Sequence, residues 1–127
     1  MRLFLCDDNA NYRELARLVL GRAGHEIVGE AGDGAEAIER APQCAPDVVL
    51  LDLNMPNVDG FEALPRLRAA LDPRTAILIL TPGQAPNARQ RSLDGGADGF
   101  IVKPERVFAL DDELRAALDQ AARPESG

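Results

Sequence analysis

Cysteine is scarce in this chain: Cys6 and Cys44 are its two examples among 127 residues, and they form no CxxC pair. That excludes a disulfide framework and a cysteine-based zinc site, and makes a reducing compartment the default. Histidine is scarcer still, with His25 alone, at the start of an apolar run and far from the polar residues singled out below; a structural role is assigned to it. Positive charge is also short. Fourteen Lys and Arg against 21 Asp and Glu leave a net charge of −7 and a pI near 4.6, which argues against binding along a nucleic-acid backbone or on an anionic membrane surface. No apolar run approaches the roughly 18 residues of a membrane span, and Leu3 to Cys6 meets Asp7-Asp8 too soon to serve as the core of a signal peptide. A cytoplasmic protein is expected. Internal repeats, low-complexity tracts and interdomain linkers are missing too. With 46% hydrophobic and 28% charged residues, the chain reads as one globular domain over 1–122, followed by a short tail or truncated linker at 123–127.

What is present is an alternation. Short apolar runs occur at Leu3 to Cys6, His25 to Gly29, Val48 to Leu51, Ile77 to Leu80 and Phe100 to Val102. Four are nearly continuous, as in strands buried on both faces of a parallel sheet, and the weaker His25 run suits an edge. Between them lie helical stretches. Leu15, Leu18, Val19 and Arg22 share helical spacing, with Gly24 as C-cap; Asp33 caps a second helix carrying Ala37 and Ile38. A third carries Phe61, Leu64, Leu67, Arg68 and Leu71, with Pro65 inside it, so that it either kinks there or begins late. A fourth falls between Gln84 and Asp94, and a fifth from Asp111 to Ala122 sets Leu110, Leu114, Ala117 and Leu118 on one stripe. Five strands alternating with five helices imply right-handed crossovers and a doubly wound α/β sheet, in which ligands bind at the carboxyl ends of the strands.

Those ends carry the chemistry: Asp7 and Asp8 after the first strand, Asp52 after the third, Thr81 after the fourth and Lys103 after the fifth. Carboxylates packed together stay ionised only if cations are supplied. Lys103 supplies one charge, and a hard divalent ion such as Mg2+, held by Asp7 and Asp8, supplies more. Metal and lysine together neutralise a transferring phosphoryl group, and a carboxylate then serves as nucleophile. Asp52 is the best candidate because it ends the most apolar run; Thr81 can hydrogen-bond a phosphoryl oxygen. Each residue also has a plainer use. Asp8 or Asn9 can cap the first helix, Asp52-Leu53-Asn54 can be turn chemistry, Lys103-Pro104 can simply end a strand, and Thr81 can sit in a turn.

Taken in order, Leu5-Cys6-Asp7-Asp8, Val48 to Pro56, Asp59-Gly60, Leu80-Thr81 and Gly96 to Pro104 resemble the receiver domain of two-component response regulators across nearly the whole chain. The resemblance implies the flavodoxin-like order 2-1-3-4-5 and a receiver domain over 1–122. It implies Asp52 as phosphoacceptor, Asp8 as a direct Mg2+ ligand, Asp7 as a ligand acting largely through water, and Asn54 as donor of a backbone carbonyl to the metal. It further implies Thr81 as the hydroxyl that moves toward the phosphoryl group, Lys103 as the cation pairing with it, Phe100 as the switch aromatic, and a cis Lys103–Pro104 bond. The partners implied are a histidine kinase or a phosphotransfer protein, and the chain is a signalling phosphoacceptor rather than an enzyme.

Three features depart from that pattern. Pro82 follows Thr81 where a small residue with a free N–H is usual, and proline has none to offer the phosphoryl group. Phe100 lacks the hydroxyl of the commoner tyrosine. Glu105 to Leu110 intervenes before the last helix. Pro82 motivates an alternative, a receiver-fold binding module that acts without phosphorylation. A Mg2+-dependent phosphatase would need a general acid and a substrate lid, and a flavin mononucleotide site would need a phosphate-cradling loop where Asp7-Asp8 stands.

Overall fold

Every residue of Val48–Asp52 is buried, and the reason is the two-sided packing expected of continuous apolar runs. The computed structural model describes residues 1–53, 55, 60–83 and 87–122. Its strands are β1 (Arg2–Cys6), β2 (Glu26–Ala31), β3 (Val48–Asp52), β4 (Ala76–Thr81) and β5 (Gly99–Val102). They form one parallel sheet in the order β2-β1-β3-β4-β5, so the weak β2 run is indeed an edge. The helices are α1 (Ala10–Arg22), α2 (Gly34–Cys44), α3 (Gly60–Ala70), α4 (Ala88–Asp94) and α5 (Leu110–Ala122), with a 3-10 turn at Val107–Ala109. None among the described residues is long and apolar enough to cross a membrane.

Alternate strand residues divide between two cores. Phe4, Val49, Leu51, Ile77 and Ile79 face α2, α3 and α4 through Ala37, Ala41, Ala63, Leu64, Leu67 and Ala88. Leu3, Leu5, Val48, Leu50, Leu78 and Leu80 face α1 and α5 through Ala16, Leu20, Leu110 and Leu114. This is the period-two pleat of a strand read out on both faces.

The caps follow their side-chain chemistry. Asn9 accepts from the Tyr12 N–H and Asp33 from the Glu36 N–H, each quenching a free donor in a first helical turn. Gly24, just after α1, takes φ +98, the left-handed conformation that glycine adopts at little cost.

Four expectations change. The buried face of α1 is Ala16 and Leu20, while Leu15 and Leu18 are 49% and 55% exposed; periodicity identifies an apolar stripe but not which of two stripes turns inward. Helix α3 begins at Gly60 and runs through Pro65, since a proline removes only one helical hydrogen bond and the buried Ala63, Leu64 and Leu67 hold the rest. Helix α4 is confined, among the described residues, to Ala88–Asp94. No described peptide bond is cis, so Lys103–Pro104 is trans, the favoured isomer of an X–Pro bond where nothing local selects the other. The expected tail at 123–127 lies outside the described residues.

Helix α5 keeps its expected stripe. Asp111 in its first turn meets His25, at the start of β2, through Oδ1 and Nε2 at 2.7 Å. Ala117 packs close to Gly99 at the start of β5. The first turn of α5 is thus tied to the residue before β2 and a later turn packs on β5, and His25 fulfils the structural role assigned to it.

Candidate functional site

Parallel register brings the carboxylates together. Cys6 pairs with Leu51, so the residues that follow, Asp7 and Asp52, emerge side by side. Both are buried, at 3% exposure each, and Asp8 beside them is exposed. Carboxylate oxygens of Asp7, Asp8 and Asp52 all lie within 4.8 Å of one another. On the other side, Thr81 pairs with Val102, and the next residue, Lys103, gives its N–H to the Thr81 carbonyl at 2.6 Å. Its ammonium then reaches back into the cluster, 2.5 Å from Asp7 Oδ2 and 3.5 Å from Asp52 Oδ2. All five residues expected at strand ends thus share one rim.

Local structure fixes the carboxylates. The Asn9 N–H donates to Asp7 Oδ1 at 2.9 Å, while the Asn9 side chain, rather than that of Asp8, caps α1. The Asp8 carboxylate is thereby left for other duty. Arg13, one turn into α1, donates to the Asp7 backbone carbonyl and pairs with Glu30 of β2 at 3.2 Å. Gly60 presses the start of α3 against the Asp52 loop and donates its N–H to the Leu53 carbonyl. A Cβ there would stand 2.5 Å from the Asp52 carbonyl oxygen, so only glycine allows this approach.

Three carboxylates against one ammonium leave two negative charges in a largely buried site. A divalent cation with oxygen ligands matches both the charge and the donor set, and Mg2+ is such an ion. The expected carbonyl ligand, Asn54, lies outside the described residues. Thr81 is buried at the end of β4. Phe100 is partly buried against the core that α2, α3 and α4 cover, beside an open space of about 180 Å³. Burial, with repulsion from Asp7 and Asp52, pushes the Cys6 thiol well up, consistent with Cys6 packing as an apolar side chain. Pro82 is exposed.

Two neighbours were not legible as site residues. The Tyr12 ring lies under the Lys103 ammonium, 4.1 Å from Nζ to the ring centroid, and its phenol is pushed up to about 12 by burial and then by Asp7 and Asp52. Arg13 is the other. Both lie in the first turn of α1 soon after Asp8, but no local pattern marks either as reaching the strand ends.

The family model for the response regulator receiver domain matches residues 3–118. The chain is 36% identical over 120 residues to the transcriptional regulatory protein PdtaR of Mycobacterium tuberculosis, covering 94% of this chain and 57% of that one. It is 32% identical over 103 residues to the chemotaxis protein CheY of Thermotoga maritima, covering 81% and 85%. Its fold superposes on the solved structure of Vibrio cholerae CheY4 with a TM-score of 0.79 at 32% identity, covering 91% of this chain and 97% of that one. PdtaR and several other curated relatives are longer, and the chain spans only 37–57% of their length.

Proposed function

The chain belongs to the response regulator receiver domain family, and from that premise we propose that Asp52 accepts a phosphoryl group in a Mg2+-dependent reaction and that its phosphorylation resets a partner-binding surface. The observation that carries the proposal is the cluster itself: Asp7, Asp8 and Asp52 within 4.8 Å, with Lys103 bridging two of them. A receiver domain is a signalling module. The donor is a histidine kinase or phosphotransfer protein in the cytoplasm, and the receiver unit spans 1–122.

Asp7, Asp8 and Asp52 would hold the ion, and the resemblance assigns the remaining protein ligand to the Asn54 carbonyl. Bound there, Mg2+ neutralises charge on the transferring oxygens. An Asp52 carboxylate oxygen attacks phosphorus of the phosphohistidine; the O–P bond forms as the N–P bond breaks, and the imidazole leaves with its electron pair. Burial of Asp52 keeps competing water from the nucleophile. Lys103 pairs with the incoming phosphoryl oxygens, and the Thr81 hydroxyl donates to one of them, giving Phe100 reason to repack. Pro82 brings no N–H to that oxyanion, which favours one second reading: a receiver-fold module that acts without phosphorylation.

Purified protein incubated with acetyl phosphate, with and without Mg2+, and weighed intact distinguishes the two. A single phosphoryl adduct that needs both Mg2+ and Asp52, and is absent from Asp52→Ala, is the expected result. A folded protein that binds Mg2+ yet forms no adduct would overturn it in favour of the second reading.

A further inference from the structure

Lys103 faces competing demands. Its ammonium rests on Asp7 and reaches Asp52, two of the three carboxylates that the proposed ion requires. An ion entering among them repels the ammonium, and lysine is a flexible four-carbon stem able to swing into water. The phosphoryl group would then arrive at a site without its cation.

The third contact of the ammonium is uncharged. Nζ stands over the Tyr12 ring, 4.1 Å from its centroid, well inside the roughly 6 Å over which a ring face attracts a cation. Tyr12 is held in place by the N-cap, since its N–H donates to Asn9. Its buried hydroxyl has no hydrogen-bond partner among the described residues, so the ring face, rather than the phenol, is what the site uses.

We propose that Tyr12 is a positioning residue for Lys103, an aromatic seat that keeps the ammonium in the site when Asp7 passes to the divalent ion. The inference rests on the Mg2+-dependent reading above. Without the ring, Lys103 depends more on Asp7 and competes harder with the ion. Leucine at position 12 therefore weakens Mg2+ binding, phenylalanine preserves it, and neither change matters once Lys103 is gone.

The test is a double-mutant cycle. Mg2+ alone is titrated calorimetrically into wild type, Tyr12→Phe, Tyr12→Leu, Lys103→Met and the Tyr12→Leu/Lys103→Met double variant, with Tyr12→Met replacing Tyr12→Leu should the latter fold poorly. The expected result is roughly a three- to tenfold loss of affinity in Tyr12→Leu, wild-type affinity in Tyr12→Phe, and no further loss when Tyr12→Leu is added to Lys103→Met. Urea unfolding of the metal-free proteins should show the same pair coupled by roughly threefold or more in the unfolding constant. Equal losses from Tyr12→Leu with and without Lys103, or no loss at all, would overturn the inference. If wild type neither binds Mg2+ nor takes up phosphate, the proposed function falls instead, and the urea cycle still decides whether Tyr12 seats Lys103.

Discussion

Replacing Gly60 with alanine asks whether the close approach of α3 sets the position of Asp52. The added methyl would stand 2.5 Å from the Asp52 carbonyl oxygen and 2.6 Å from Leu53 Cα, where ordinary contact begins at 3.4 Å. Both obstacles are backbone, so no flexible side-chain end can yield there, and the loop must part from the helix by about 0.9 Å. Overpacking of this kind costs about 1–3 kcal/mol, which lowers Tm by about 4–12 °C in a domain of this size. The same displacement moves the Asp52 carboxylate, and misplacement on the scale of about 1 Å costs up to about 100-fold in rate. Thermal unfolding gives the first quantity, and the rate of adduct formation from acetyl phosphate with Mg2+, followed by intact mass, gives the second. Both should fall in Gly60→Ala. Wild-type Tm together with a wild-type rate would refute the argument that this contact positions the nucleophile.

Three further outcomes are expected. Pro82→Ala restores a backbone N–H beside Thr81 and should raise the rate or lifetime of the adduct, by up to about 100-fold if the N–H serves as a full oxyanion donor; an unchanged or smaller phosphorylated fraction counts against that role. Tyr12 is the single tyrosine of the chain, so alkaline titration of its absorbance should give a midpoint near 12 instead of 10, owing to burial and then Asp7 and Asp52. Because the folded value is raised, the stability tied to its protonated form is complete below about pH 10 and is lost as pH rises toward 12; a midpoint near 10 in folded protein would place the phenol in water. For Asp111, burial works against the charge, but hydrogen bonds from Arg115 and His25 outweigh it and hold the carboxyl below its usual range. Its stabilisation is present above about pH 4 and lost as pH falls through the lowered value, so Asp111→Asn should cost about 1 kcal/mol at neutral pH and flatten the acid limb of a urea stability profile. An unaltered acid limb would argue against this reading of the His25–Asp111 contact.

Much of the site was readable because parallel strands end in residues that cannot continue an apolar run. Asp7, Asp8, Asp52, Thr81 and Lys103 each close such a run, and a doubly wound sheet leaves its strand ends on one rim. Polar residues in those places therefore converge whatever the details of the helices. The caps were readable for the same local reason: Asp33 does cap α2. At α1 two adjacent polar residues competed, and only the fold showed that Asn9 takes the cap while the Asp8 carboxylate joins Asp7 and Asp52.

Tyr12 was missed because nothing in its neighbourhood marks an aromatic residue as the seat of a lysine that lies 91 positions further along the chain. The exposed faces of Leu15 and Leu18 were missed because α1 carries apolar residues on two arcs. Hydrophobic spacing is blind to which arc the sheet covers; that depends on the angle at which the Asn9 cap launches the helix over β1 and β2.

By itself, then, the sequence determined the alternation of strands and helices, the burial of the central strands, and the set of charged residues at the strand ends, since each depends on a residue's own chemistry and its near neighbours. Tertiary structure alone decided the rest: the contacts of α5 with His25 and Gly99, the glycine-only approach of α3 to Asp52, and the ammonium of Lys103 shared among Asp7, Asp52 and the Tyr12 ring. These join residues far apart in the chain, and their geometry is set by strand register and layer packing, which no local pattern encodes.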